Sequence, residues 1–465
     1  MLSRYLNKFP DGYNPSNQQV NIIKKIEHAF NKGHKFVICS APTGSGKSFI
    51  SKTLANVSNE STDAFKELIN SYDAFKMDNV GNYTNEPECL DEPASGAFAL
   101  TITKSLQDQY YELFDDSMVM KGKSNYTSTI NPDIDVEMET SVMPRKVLDE
   151  HRKAHKCNYH NARNRGLVDK FGVLNYKMFL ALPGHVKRKN FIICDEASEL
   201  EDRSLNLITE TWEECEYVVQ RDGKTARVMP LKVDVLSKYI FKYADNVLLM
   251  SATIIDHKHF AKSLGIKEYE YVESDSTFDP QKAPIYINTK QKINHYNLKK
   301  TLPKIVKQIE EICKQHEFEK GIIHTHTGFI ASYLQNNLKS RRFLCRDKET
   351  RNEELLRQHS NSKEPTVLVS PSLGLGIDLK DDLARFQIVI KAPYLPLGDN
   401  RIKKLFELDK AWYSNKMLSN VVQQCGRGIR SKQDHCKTYI LDAGVYEAII
   451  RNKNKLPKYF IERFV

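Results

Sequence analysis

Short apolar runs alternate along this chain with polar or glycine-rich turns and helix-like stretches. Residues 35–40 (KFVICS) lead into APTGSGKS, 97–103 (AFALTIT) into KSLQDQYYELF, and 190–194 (NFIIC) into DEASEL. Further runs at 247–250, 320–324, 366–370 and 438–441 lead into SAT, THTGF, PSLGLGID and DAG. Apolar runs of this length, each followed by a helical stretch, predict an α/β fold of parallel sheets with helices on both faces. Ligands then gather at the carboxyl ends of the strands, where these turns lie. The polar stretch 271–282 (YVESDSTFDPQK) divides the runs and predicts a first lobe over 1–275 and a second over 283–465. Two segments of the first lobe read as insertions. Residues 56–95 are polar and acidic with one helix at 62–75, and 115–165 carry an acidic patch (DIDVEMET) followed by a basic run dotted with aromatics.

Composition narrows the class. Apolar residues make up 40% and charged residues 28% of 465, an ordinary globular mix that excludes wholesale disorder. No apolar run reaches the roughly 18 residues a membrane helix needs. The first residues show no apolar signal core, so no membrane contact and an intracellular, cytoplasmic protein are expected. Lys and Arg (69) outnumber Asp and Glu (59), a net charge of +10 that fits a nucleic-acid partner without naming one. Nine widely spaced cysteines with no CxxC pair predict buried thiols in a reducing compartment rather than disulfides or zinc ligands.

Three motifs carry chemistry. Between a strand-like run and an apolar helix start, APTGSGKS has the context of a phosphate loop, although its usual first glycine is Ala41. Backbone N–H groups around Gly44, Ser45, Gly46 and Lys47 can cradle a β-phosphate at the helix N-terminus. Lys47 then offers a point charge to the β and γ oxygens, and Ser48 a hydroxyl to Mg²⁺. Asp195 and Glu196 follow the apolar run NFIIC, where a second carboxylate is needed: Asp195 to hold Mg²⁺ and Glu196 to orient or deprotonate water. An Asp-Glu pair at a strand end is also the pattern of a helix cap with its first-turn acid. Downstream, QQCGRGIR (423–430) sets Arg427 and Arg430 three apart on one helical face. Arginine suits bidentate phosphate recognition. A solvated basic helix is the alternative, and Gly426 and Gly428 weigh against it.

Taken in order, APTGSGKS, TITKSLQDQ, DEAS, MSAT, GLGID and QCGRGIRS resemble the motifs of superfamily 2 helicases. LKDDLARFQIVIKAPYLPLGD, IRSKQD with ILDAG, MVMKGKSNY (118–126), VLNYKMFL (173–180) and PLKVDVLSKYI (230–240) are similar to the XPD/DinG branch. The resemblance implies two RecA-like lobes with ATP and Mg²⁺ between them. It implies that Gln18 touches adenine, and that Ser251, Thr253 and Gln423 couple hydrolysis to lobe movement. Thr43 to Ser48 would bind the phosphates and magnesium, Gly376 and Asp378 would line the cleft, and Arg427 and Arg430 would reach the γ-phosphate. Thr101, Thr103 and Gln109 would grip the nucleic-acid backbone.

Two departures stand out. XPD/DinG relatives often carry a four-cysteine iron–sulfur domain, but Ser128 stands where the first cysteine would be and only Cys157 matches a ligand position. One thiolate of four cannot hold the cluster, so none is expected. Residues 201–246 are too short for the arch domain of XPD. Among weaker signals, the basic run 145–165, with Tyr159, reads equally as a phosphate-binding surface or a solvated helix face. Residues 187–189 (KRK) read as a loop solubility patch, His324 and His326 as non-ligands, and Trp412 and Tyr413 as core packing. The expected protein is an ATP-dependent DNA helicase or translocase, monomeric on single-stranded, forked or branched DNA. An RNA helicase, or an ATP-switched DNA clamp without unwinding, is the alternative.

Overall fold

The computed structural model describes residues 3–71, 75, 94–201, 216–222, 225–234, 239–274, 279–287, 289, 291–345, 352–371, 379, 381–429 and 434–465. Its contacts group into two units. The first comprises Met1–Cys39, Gly46–Ser251 and Ala261–Val272; the second comprises Ser40–Ser45, Ala252–Phe260 and Glu273–Val465.

The first unit is built on strands β1 (Phe36–Ser40), β2 (Ala97–Thr101), β3 (Met118–Met120), β4 (Phe171–Asn175), β5 (Lys189–Cys194), β8 (Ala244–Ser251) and β9 (Glu270–Glu273). A separate antiparallel hairpin pairs β6 (Tyr217–Asp222) with β7 (Thr225–Pro230). The main sheet runs β3-β4-β2-β5-β8-β1-β9. Pairs β3–β4, β2–β4, β2–β5 and β5–β8 are parallel. Their apolar runs are continuous because both faces are covered: every residue of β2 is buried, as are Val247–Met250 of β8. Helix α1 (Asn17–Asn31) buries Ile22, Ile23, Ile26 and Phe30, one face of a 3.6-residue repeat. Each such side chain contributes about 1.5–3 kcal/mol on burial. Helices α2 (Lys47–Val57), α3 (Asp63–Asn70) and α4 (Lys104–Leu113) follow. Of the helix expected at 62–75, Asp63–Asn70 is helical with Thr62 as its N-cap, and 72–74 lie outside the described residues.

Met118–Met120, inside the segment read as an insertion, joins the sheet beside β4. The rest of that segment forms α5 (Val136–Val142), α6 (Arg145–Lys153) and α7 (Asn158–Val168). The approach of α7 to β4 depends on glycine: a Cβ at Gly172 would lie 2.4 Å from Gly166 O.

In the second unit, β10 (Ile285–Tyr286), β11 (Gly321–His324), β12 (Phe343–Cys345), β13 (Val367–Ser370), β14 (Phe386–Val389) and β15 (Lys437–Ile440) form an all-parallel sheet ordered β10-β15-β14-β11-β13-β12. Side chains alternate across it. Ile323 and Ile388 join Leu302, Ile305 and Ile309 of helix Leu298–Gln315 in one cluster. Val389 and Ile440 join Met417, Leu418 and Val421 of helix Lys410–Cys425 in another. Trp412 and Tyr413 are buried in that helix, and the Tyr413 hydroxyl donates to Leu395 O at 2.8 Å, as core packing requires. No described helix is long and apolar enough to cross a membrane.

The lysines at 187 and 189 are not a solubility patch. Lys187 is buried and its Nζ donates to Leu180 O at 3.0 Å. Lys189 is fully buried, donates to Leu167 O, and lies 4.7 Å from the Phe98 ring centre. Burial pulls the Lys189 pKa down to about 7, against partial support from Asp169. In the unfolded chain the group keeps an ordinary lysine pKa near roughly 10.4, so folding releases a proton between these values. Stability should therefore rise with pH across that window, by up to about 1.4 kcal/mol per pH unit. Lys189→Met is expected to flatten this rise in chemical denaturation between pH 7 and 10. Equal slopes for both proteins would place the proton elsewhere.

Candidate functional site

The turn after β1 is folded as a phosphate loop requires. Gly44 and Gly46 take left-handed φ values of 78° and 75°, and Ser45 N donates to Pro42 O at 3.2 Å. Helix α2 starts at Lys47 with Gly46 as its N-cap and no side-chain cap. The positive end of the helix dipole thus faces the loop with no side chain capping it, as an anion site requires. Behind the loop, Gln19 serves twice. Its Oε1 accepts from Ser16 N at 2.8 Å in a capping box, and its Nε2 donates to Gly46 O at 3.4 Å. A Cβ on Gly46 would lie 2.2 Å from that Nε2. Gln19 thus reaches the loop, and its legible signal was its place in Ser16-x-x-Gln19; Gln18, expected at adenine, is buried in the same helix.

Asp195 directly follows β5 and is 3% exposed. Its Oδ2 accepts from Tyr110 OH at 3.0 Å and its Oδ1 from Glu196 N at 3.0 Å. The Tyr110 hydroxyl also lies 3.0 Å from Ser51 Oγ and is hydrogen-bonded to Ser48, so one buried phenol ties α4, α2 and β5 together. Burial holds the Tyr110 hydroxyl protonated, well above its ordinary range. Burial, then the neighbouring Glu196, pushes the Asp195 carboxyl up, and Lys47 opposes both. Glu196 adopts a left-handed φ of 50°. Such a backbone costs about 1–3 kcal/mol in a non-glycine residue and concentrates at functional sites. Its Oε2 accepts from Ser251 Oγ at 3.3 Å, and Ser198 Oγ lies 2.8 Å from Ser251 Oγ. Tyr110, Ser51 and Ser198 left no signal in the sequence because only folding brings them to Asp195 and Glu196. The Ser48 hydroxyl and the Asp195 carboxyl, both bonded to the Tyr110 hydroxyl, are hard-oxygen groups of the kind Mg²⁺ prefers.

Within the second unit, Arg427 follows helix Lys410–Cys425 and is 5% exposed. Burial, then Arg427, pulls the buried His324 down to a pKa of about 4, so this histidine is neutral. Gln423 is half-buried near the end of the same helix, and Thr253 O accepts from Ser419 Oγ at 3.1 Å. Thr43 is half-buried. Gly376, Asp378 and Arg430 lie outside the described residues. Thr101 is fully buried at the end of β2, Thr103 caps α4 by accepting from Leu106 N, and Gln109 is exposed on α4. The basic run shapes a cavity of about 570 Å³ in the first unit, lined in part by Lys123, Arg145, Arg152, Lys153, Tyr159 and Arg163.

Residues 324–462 match the helicase C-terminal domain family. No curated protein matches the chain in sequence. In three dimensions the chain is similar to a solved XPD helicase, 14% identical, covering 95% of this chain and 98% of that one with a TM-score of 0.59. It is similar to apo XPD (14% identical, 94% and 98% covered, TM-score 0.56) and to Xpd4 of S. tokodaii (13% identical, 92% and 96% covered, TM-score 0.53). The architecture, two parallel-sheet α/β domains covered by helices, is that of RecA-like helicase folds. The chain thus matches a helicase C-terminal domain in sequence over residues 324–462 and resembles solved XPD helicases in fold.

Proposed function

We propose, from this similarity to XPD-type helicases, that the chain is an ATP-dependent DNA helicase or translocase. The observation that carries the reading is the constellation of Lys47, Asp195 and Glu196 at the ends of neighbouring elements, with Ser251 bonded to Glu196. The N–H groups of the loop and of α2 bind the phosphates, and Lys47 neutralises the β and γ oxygens. Ser48 and Asp195 would hold Mg²⁺, which supplies charge neutralisation at the phosphates. Glu196 takes the proton of the attacking water, as a carboxylate held at fixed orientation can. Its bond to Ser251 gives a route by which hydrolysis is felt at the end of β8, and thence at Thr253. Arg427 and Arg430 balance the charge of the γ-phosphate, Gln423 couples hydrolysis to movement, and Gly376 and Asp378 link nucleotide to nucleic acid. Thr103 and Gln109 hold the strand through its backbone, with the buried Thr101 anchoring the end of β2 beneath them, so binding is salt-dependent and sequence-tolerant. The substrate we favour is forked or branched DNA met in replication, recombination or repair, handled by a single copy of the chain.

The test is ATP hydrolysis with DNA and RNA strands of equal length, beside unwinding of tailed, forked and four-way DNA. Stimulation by DNA with strand displacement is expected. Stimulation by RNA alone would make this an RNA helicase, and brisk hydrolysis with no displacement on any substrate would leave an ATP-switched clamp.

A further inference from the structure

Helices α5, α6 and α7 converge on a cluster that the nucleotide site does not use. Glu139 of α5, His151 of α6 and Cys157, the N-cap of α7, each bring one potential ligand atom within 4.8 Å of the others. Glu139 is 2% exposed and Cys157 1%. Glu139 Oε2 is buried without a hydrogen-bond partner, and so is His151 Nδ1. Buried carboxylate oxygens are ordinarily satisfied, because stranding one forfeits the charge-assisted bond that water would supply.

The neighbours prepare the imidazole for ligation. The single proton of the Thr129 hydroxyl goes to Lys156 O at 2.8 Å, so Thr129 Oγ1, 2.9 Å from His151 Nε2, accepts from Nε2–H. The lone pair therefore stays on Nδ1, the buried nitrogen without a partner, which is how outer-shell groups orient metal-binding histidines. A second imidazole stands beside the thiol, with His160 Nδ1 3.0 Å from Cys157 Sγ.

We propose that Glu139, His151 and Cys157 bind one divalent transition ion of the zinc class, with His160 or water as fourth ligand. A mixed thiolate, imidazole and carboxylate set suits such an ion and not Mg²⁺ or Ca²⁺. The thiolate and carboxylate balance its two charges, so no net charge is buried near Lys123 and Arg152. Ligand atoms around a tetrahedral zinc lie roughly 3.3–3.8 Å apart, a contraction that small rotamer changes supply. The set does not fit an iron–sulfur cluster, which takes four cysteines or, in Rieske centres, two cysteines and two histidines. Ser128 Oγ, at the position of the missing first cysteine, accepts from Ile130 N and Asn131 N. The ion would pin three helices of seven, nine and eleven residues, too short to be stable alone, and with them the arginines of the cationic cavity.

The experiment uses the full chain, purified under reducing conditions, stripped with chelator and titrated with Co(II). One equivalent should bind with tetrahedral d–d bands and a sulfur-to-cobalt charge-transfer band, and Zn(II) should displace it. Elemental analysis of the protein as isolated should find about one zinc per chain. Cys157→Ser should abolish the charge-transfer band, Glu139→Gln and His151→Ala should weaken Co(II) binding at least about tenfold, and Cys345→Ser, in the second unit, should leave the band intact. No Co(II) bound by the wild-type chain, an undiminished band in Cys157→Ser, or iron with acid-labile sulfide in the isolated protein would overturn the site. The wild-type titration decides even if Cys157→Ser does not fold.

Discussion

Lys47→Ala should lower DNA-stimulated ATP hydrolysis by at least about two orders of magnitude, the scale set by removing one preorganised charge from a phosphoryl-transfer site. Glu196→Gln should cost as much or more, within the roughly 10²–10⁴ range of a lost general base. The two should differ in binding. Lys47 meets the phosphates in the ground state, so its loss should also weaken ATP binding. The amide that replaces the Glu196 carboxylate would keep its shape and the bond from Ser251 while losing the base, so ATP should still bind and promote DNA binding. Neither change touches the core: the Lys47 side chain is half-exposed, and glutamine tolerates the left-handed backbone no worse than glutamate. Unfolding midpoints should stay close to wild type. ATP turnover at the normal rate in either variant would show that the nucleotide chemistry lies elsewhere.

The second large effect is expected at Arg427. Removing an arginine that meets the γ-phosphate costs about 10³–10⁵ in turnover. A planar guanidinium is not replaced by an ammonium at a bidentate contact, so Arg427→Lys should lose most of what Arg427→Ala loses. Burial offers a competing role, since Arg427 is 5% exposed and lies close enough to His324 to lower its pKa. Paired measurements separate the two. A transition-state role predicts a collapse in kcat with a smaller change in KM for ATP and an unfolding midpoint near that of wild type. Retained turnover with a large drop in midpoint would assign Arg427 to packing against β11.

Much of the candidate site was legible before folding because its chemistry restricts residue type at particular places. A phosphate loop needs glycines at left-handed positions and a lysine at a helix start, and Gly44, Gly46 and Lys47 occupy those conformations. The strand runs were legible because sheets covered on both faces demand continuous apolar segments, as in β2, β8 and β13. The three-residue β3 escaped notice since MVM carries no period to detect. The lysines around 188 misled because three adjacent charges resemble solvated loop, and nothing in the order KRK reveals that Lys189 begins a central strand.

Across the molecule, local requirements are written in local sequence: turns, caps, strand runs and the residue types of the phosphate loop. Contacts that depend on elements far apart in the chain are not. Tyr110 reaches Asp195 across 85 residues, and Gln19 reaches Gly46 across 27. The thiol at Cys157, read from spacing as an inert buried group, finds a carboxylate 18 residues upstream and an imidazole six upstream on separate helices. Spacing rules report ligands that share one turn or loop, whereas packing brings together groups on different helices and removes the water that would otherwise satisfy them. Burial decides whether a lysine is neutral, a carboxylate stranded or a tyrosine held protonated, and burial is a property of the assembled fold.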